Sequence, residues 1–175
     1  MKSLYEILAA DENWQVNNSS NRDKIKEYMR PFMFDNGSLT KQLMDLSDEQ
    51  FEVRVIDEKI IMPHPHEQKI LKNKFNQKTL IRQVELKIFG QAVVFARSII
   101  PNSMIIEKKN GLSNLGKKPL GHLLFRDGKM DISKREFKHL IIDNKEFFAR
   151  RTPYQYQGKT ILVSEFFLPT FKSFL

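Results

Sequence analysis

Three charged residues stand on the apolar side of alternating segments, and such placement selects for anion chemistry. From Leu80 to Ile88 the even positions read Leu80, Arg82, Val84, Leu86 and Ile88, while the odd ones read Ile81, Gln83, Glu85 and Lys87. Period two therefore turns Arg82 toward a core and the odd positions toward solvent. Further on, Val93, Phe95, Arg97 and Ile99 share a face, as do Ile161, Val163, Glu165 and Phe167. An unpaired charge in a low-dielectric interior is costly, so each of these groups needs a partner or a ligand. A structural salt bridge would satisfy any one of them. Two arginines against one glutamate leave a positive surplus, and the planar guanidinium fork matches a carboxylate. The expectation is a dry pocket, built from Arg82, Arg97 and Glu165, for a small molecule carrying carboxylates.

The elements that must position these residues follow from pattern and punctuation. Helix is expected from Ser3 to Ala10, from about Arg22 to Arg30 with Pro31 as its stop, and from about Ser38 to Leu46, where Ser38 is a suitable N-cap. The segment 50–60 alternates like an edge strand, and two prolines make 62–66 a loop. A hairpin follows, about 79–89 and 92–100, turning at Gly90-Gln91. Gly111, Gly116, Pro119 and Gly121 break 105–125 into loop and short helices, a candidate mobile cover. Strands at about 135–142, 146–156 and 159–168 complete six. The fold class expected is α+β, an antiparallel sheet with helices packed on one face.

Composition narrows the chemistry. A chain of 175 residues with 41% hydrophobic content suits one compact domain spanning 1–175. Cysteine is absent, which removes disulfides, thiolate metal sites and a thiol nucleophile. No apolar run is long enough for a signal peptide or a membrane span, so a cytoplasmic protein is expected. The net charge of +8 is scattered, not gathered into one stripe, which argues against nucleic acid as a partner and suits attraction of small anions. His64, His66 and Glu67 are a weak metal signal with no third ligand at suitable spacing beyond them, and no metal is expected. Dinucleotide, P-loop and serine-hydrolase motifs are missing. No heptad or broad apolar stripe demands a partner subunit, so a monomer is expected.

Six segments carry a family resemblance: GSLTKQL (37–43), IRQVEL (81–86), ARSIIP (96–101), LGKKPLGHLLF (115–125), FFARR (147–151) and GKTILVSEFFLP (158–169). In order and spacing, from about residue 30 to the end, the chain resembles the bacterial chorismate pyruvate-lyases, the 4-hydroxybenzoate synthases of ubiquinone biosynthesis. LGKKPLG and SEFFLP are the most specific parts. The resemblance implies a six-stranded antiparallel sheet with helices on one side and an internal ligand cavity closed by two flaps. It implies a carboxylate contact at Arg82, a hydroxyl contact at Glu165, and backbone contacts at Leu39 in the first flap and Leu120 in the second. Leu39 replaces a methionine of better-known members, Ala96 stands at a small, glycine-like position just before Arg97, and the stretch from Phe125 to Arg150 is a few residues longer.

The activity so implied is elimination of pyruvate from chorismate to give 4-hydroxybenzoate, driven by aromatisation and needing neither cofactor nor metal. Arg82 is expected on the ring carboxylate, Glu165 on the ring hydroxyl and Arg97 on the enolpyruvyl side. Glu165 serves either as the base or only as an orienting group. Gly111, Gly116 or Gly121 is expected to hinge the flap. The rival is a non-catalytic sensor for a small aromatic acid, because the same sheet architecture resembles effector-binding domains of bacterial transcription regulators. Only about 30 residues precede the matching region, too few for a winged helix, so a sensor would act through a partner.

Overall fold

A computed structural model describes residues 2–71, 77–106, 112–126, 130–132 and 134–175. One antiparallel sheet organises them. Its strands are β1 (Gln15–Val16), β2 (Phe51–Ile61), β3 (Thr79–Ile88), β4 (Gln91–Pro101), β5 (Met130–Ile132), β6 (Glu136–Ile142), β7 (Lys145–Tyr156) and β8 (Lys159–Phe167). They lie in the order β1-β6-β7-β8-β4-β3-β2, with β5 beside β7. The six long strands are those the alternation marks; β1 and β5 are too short to alternate, which is why pattern alone misses them. Two-residue turns with left-handed backbone join β3 to β4 at Phe89-Gly90, β6 to β7 at Asp143-Asn144 and β7 to β8 at Gln157-Gly158. That twist matches the flanking strands. The first of these turns begins one residue earlier than expected.

The helices are α1 (Leu4–Ala10), α2 (Ser19–Arg22), α3 (Arg30–Phe34), α4 (Leu39–Leu46), α5 (Pro65–Leu71), α6 (Asn102–Ile106) and α7 (Leu120–Arg126). Ser3 and Glu6 form a reciprocal capping box on α1, and the Ser38 hydroxyl accepts from the Lys41 amide to start α4. The single helix expected over 22–30 is instead divided, and Pro31 sits in the first turn of α3, where its missing N–H costs nothing. Likewise Pro65 opens α5, so the loop expected at 62–66 is shorter than the two prolines suggest.

Two core clusters cover one face of the sheet. In the first, Met33, Leu39 and Leu43 pack on Val84, Leu86, Val94 and Phe167. In the second, Met104, Leu120 and Leu124 pack on Ile100, Tyr154, Ile161 and Val163. The reverse face is padded by α1 and α5, where Tyr5 stacks on Phe95 at 4.2 Å between centroids and Leu71 packs with Ile99 and Leu162. This second cover explains why Ile81 and Glu85, expected toward solvent, are buried. Among the described residues no helix is long and apolar enough to cross a membrane.

Candidate active site

A cavity opens at the seam between the two clusters of the first face. A small cavity of about 50 Å³, open to solvent on one side, lies between a sheet floor and a helical roof. Arg82 and Val84 of β3, Ala96 and Ser98 of β4, and Val163 and Glu165 of β8 form the floor. Leu39 and Thr40 of α4 face Leu120, Gly121 and Leu124 of α7 across the roof. Such an apolar recess with a few convergent charges is the usual form of a small-molecule site. Leu39 and Leu120 are each the first residue of a helix, so their amides have no acceptor within the helix and can serve a ligand.

Roof closure depends on one glycine. A Cβ on Gly121 would lie 3.3 Å from the Thr40 hydroxyl and 3.6 Å from that of Ser38. The two roof helices therefore meet where a side chain is missing. Gly116, another of the expected hinges, adopts a left-handed φ of 49°. Its carbonyl accepts from Arg82 Nη2 at 2.7 Å, with the Lys118 carbonyl at 3.2 Å. Gly111 lies outside the described residues.

Arg82 is 2% exposed. Besides the loop carbonyls it pairs through Nη1 with Glu58, its direct cross-strand neighbour on β2. Glu165 lies across from Ala96 on one side and Arg150 on the other. Arg150 Nε donates to Glu165 Oε2 at 2.5 Å, while its Nη1 donates to the Phe32 carbonyl at 2.5 Å and the Asp35 carbonyl at 3.3 Å. Burial opposes the charge on Arg150, yet the adjacent Glu165 carboxylate holds its pKa above the ordinary arginine value. Arg135 completes the group: Nε donates to Thr152 Oγ1 at 2.8 Å and Nη1 to the Asp35 carbonyl. Burial, and then the neighbouring Arg150, lower the pKa of Arg135.

The structure thus brings Arg82, Glu165, Leu39 and Leu120 to one cavity and removes Arg97 from it. Arg97 points through the reverse face, where Nε and Nη2 donate to the two oxygens of Glu67 at 2.8 and 3.0 Å. A one-residue bulge is the cause. The β3–β4 pairing runs Ile88 to Gln91 and Lys87 to Ala92, then skips Val93 so that Leu86 meets Val94 and Arg82 meets Ser98. Without the extra residue Arg82 would face Arg97. Its place beside Glu165 belongs to Arg150 and Arg135, which sequence reasoning missed. The signal was available: adjacent Arg150 and Arg151 in one strand must point to opposite faces. His64, His66 and Glu67 serve the reverse face: the Glu67 carboxylate also accepts from the His64 amide, and His66 Nδ1 lies 2.9 Å from Arg151 Nη1.

The profile of the chorismate lyase family matches residues 11–174. The chain belongs to the chorismate lyase family. A protein of Pseudomonas putida described as a probable chorismate pyruvate-lyase is 37% identical over 176 residues, covering 97% of this chain and 96% of that one. A probable chorismate pyruvate-lyase of Methylococcus capsulatus is 30% identical over 155 residues, covering 81% and 94%. Among solved structures, the effector domain of PhnF from Mycobacterium smegmatis superposes with a TM-score of 0.58 at 11% identity, over 78% of this chain and 91% of that one. A GntR-family transcriptional regulator from Bacillus cereus gives a TM-score of 0.52 at 10% identity, over 69% and 93%. At these identities the likeness is one of fold alone.

Proposed function

We propose that the protein is a chorismate pyruvate-lyase, converting chorismate to 4-hydroxybenzoate and pyruvate on the route to ubiquinone. Family membership supports the reaction, and the observation that carries it to these residues is the shared cavity of Arg82 and Glu165 beneath α4 and α7. Arg82 receives the ring carboxylate, with the Leu39 and Leu120 amides beside it. Glu165 accepts the ring hydroxyl through Oε1, because Oε2 is taken by Arg150. So held, the ring loses its C3–O ether bond and its C4 proton, the ether oxygen leaves with the enolpyruvyl group, and a proton on the methylene carbon completes pyruvate. Aromatisation drives the step; the protein supplies orientation, exclusion of water and positive charge near the departing oxygen. A cytoplasmic monomer is the setting assumed, since a small dianion reaches the cavity by diffusion. Purified protein incubated with chorismate, without added metal or nucleotide, is expected to release 4-hydroxybenzoate and pyruvate in equal amounts. Binding of 4-hydroxybenzoate without turnover would favour a sensor, and absence of both would overturn the assignment.

A further inference from the structure

Two buried guanidiniums share one carboxylate on the cavity side of the sheet. Arg150 is 0% exposed and Arg135 is 5% exposed, and the only carboxylate bonded to either among the described residues is Glu165. Among those residues neither Nη2 group has an acceptor, although both are shut off from solvent. A charged donor left unmet in the interior is unfavourable, and in native proteins such a group marks a functional role or a bound water, ion or ligand. Glu165 is the one carboxylate bonded to the pair, with the Asp35 carboxylate near enough to act on Arg150, and the two Nη2 groups have no acceptor among the described residues.

The substrate has such a charge. With its ring carboxylate on Arg82 and its hydroxyl on Glu165, chorismate spans the floor of the cavity, and its enolpyruvyl group branches from the carbon next to the hydroxyl. The second carboxylate must therefore come to rest near Glu165 and far from Arg82. Arg97 cannot meet it, being held by Glu67 behind the sheet. Glu165 and Tyr154 line the cavity on that side and adjoin the two arginines, which stand behind them and do not themselves line it. We propose that Arg135 and Arg150 are substrate-binding residues whose free Nη2 groups hold the enolpyruvyl carboxylate, entering beside Glu165. The pair then discriminates substrate from product, because 4-hydroxybenzoate lacks that carboxylate. This assignment rests on the chorismate lyase function proposed above.

The test compares two ligands in one variant. Arg150 is enclosed and bonded to two carbonyls, so its substitution threatens folding; Arg135→Gln is the cleaner change. It should lower kcat/KM for chorismate by about 100-fold and weaken 3-(carboxymethoxy)-4-hydroxybenzoate, which keeps both carboxylates, by a similar factor. Affinity for 4-hydroxybenzoate should change less than about twofold, since its own contacts are untouched. Arg135→Lys, which restores the charge, should recover part of the loss. Equal weakening of both ligands would show a structural role and overturn the proposal, as would unchanged affinity for the dicarboxylate. A wild-type protein that binds both acids but leaves chorismate intact would count against the lyase function, while the two-ligand comparison still decides the seat.

Discussion

The two faces of the sheet use the same residue types to opposite ends. On the reverse face each buried cation has a carboxylate of its own: Arg97 with Glu67, Arg151 with Glu136, and Lys138 with Asp11. Trp14 lies beneath two of them, 4.0 Å from Lys138 Nζ and 4.5 Å from the Arg151 guanidinium carbon. On the cavity face three arginines, Arg82, Arg135 and Arg150, share Glu58 and Glu165. Balanced pairs fix a structure, whereas an imbalance waits for something to arrive. Burial alone does not separate the two kinds of arginine; the count of partners does.

The sharpest way to break this contrast is Glu67→Ala, which strands Arg97 in the interior. Stability in urea should fall by about 3–5 kcal/mol, with 4-hydroxybenzoate affinity of the folded fraction unchanged. Loss of affinity at unchanged stability would return Arg97 to the site. On the other face, Arg82→Ala should weaken chorismate and 4-hydroxybenzoate by roughly 2–5 kcal/mol, read by calorimetric titration; an unaltered product Kd would refute its role. Glu58 is 39% exposed and, in the binding mode proposed, competes with the ligand carboxylate for Arg82. Glu58→Gln should therefore tighten 4-hydroxybenzoate by roughly 0.2–1 kcal/mol, the range for exposed pairs, and any weakening would show that Glu58 positions Arg82 instead.

The reverse face can also be probed by pH. Burial, against the opposing hydrogen bond of Asp11, lowers the Lys138 pKa from 10.5 to about 8. Between those values the unfolded chain binds the proton that the folded one has released, so stability from this group rises with pH. Wild type should gain on Lys138→Met in thermal melts from about pH 8 to 10.5; a constant gap would mean that Lys138 keeps its ordinary pKa.

The long strands were legible as alternating or continuously apolar runs bounded by turn residues, and Arg82 and Glu165 were legible because each interrupts such a run. Arg97 was misplaced because β4 is buried on both sides, so its own pattern names no preferred face. Only the skip at Val93 decides the side, and a bulge leaves no compositional trace there. Arg135 precedes its strand, where period two does not apply, and Arg150 looks like half of a basic dipeptide until register places it across from Glu165. The divided helices before α4 escaped because Pro31 can begin a helix as readily as end one.

The bare α-carbon at position 121 sets a spacing. With only hydrogen facing Thr40, the two roof helices approach closely there, on a cavity that is still partly open to solvent. A methyl group there would press on the Thr40 hydroxyl and make the first turns of the two helices give by a few tenths of an ångström.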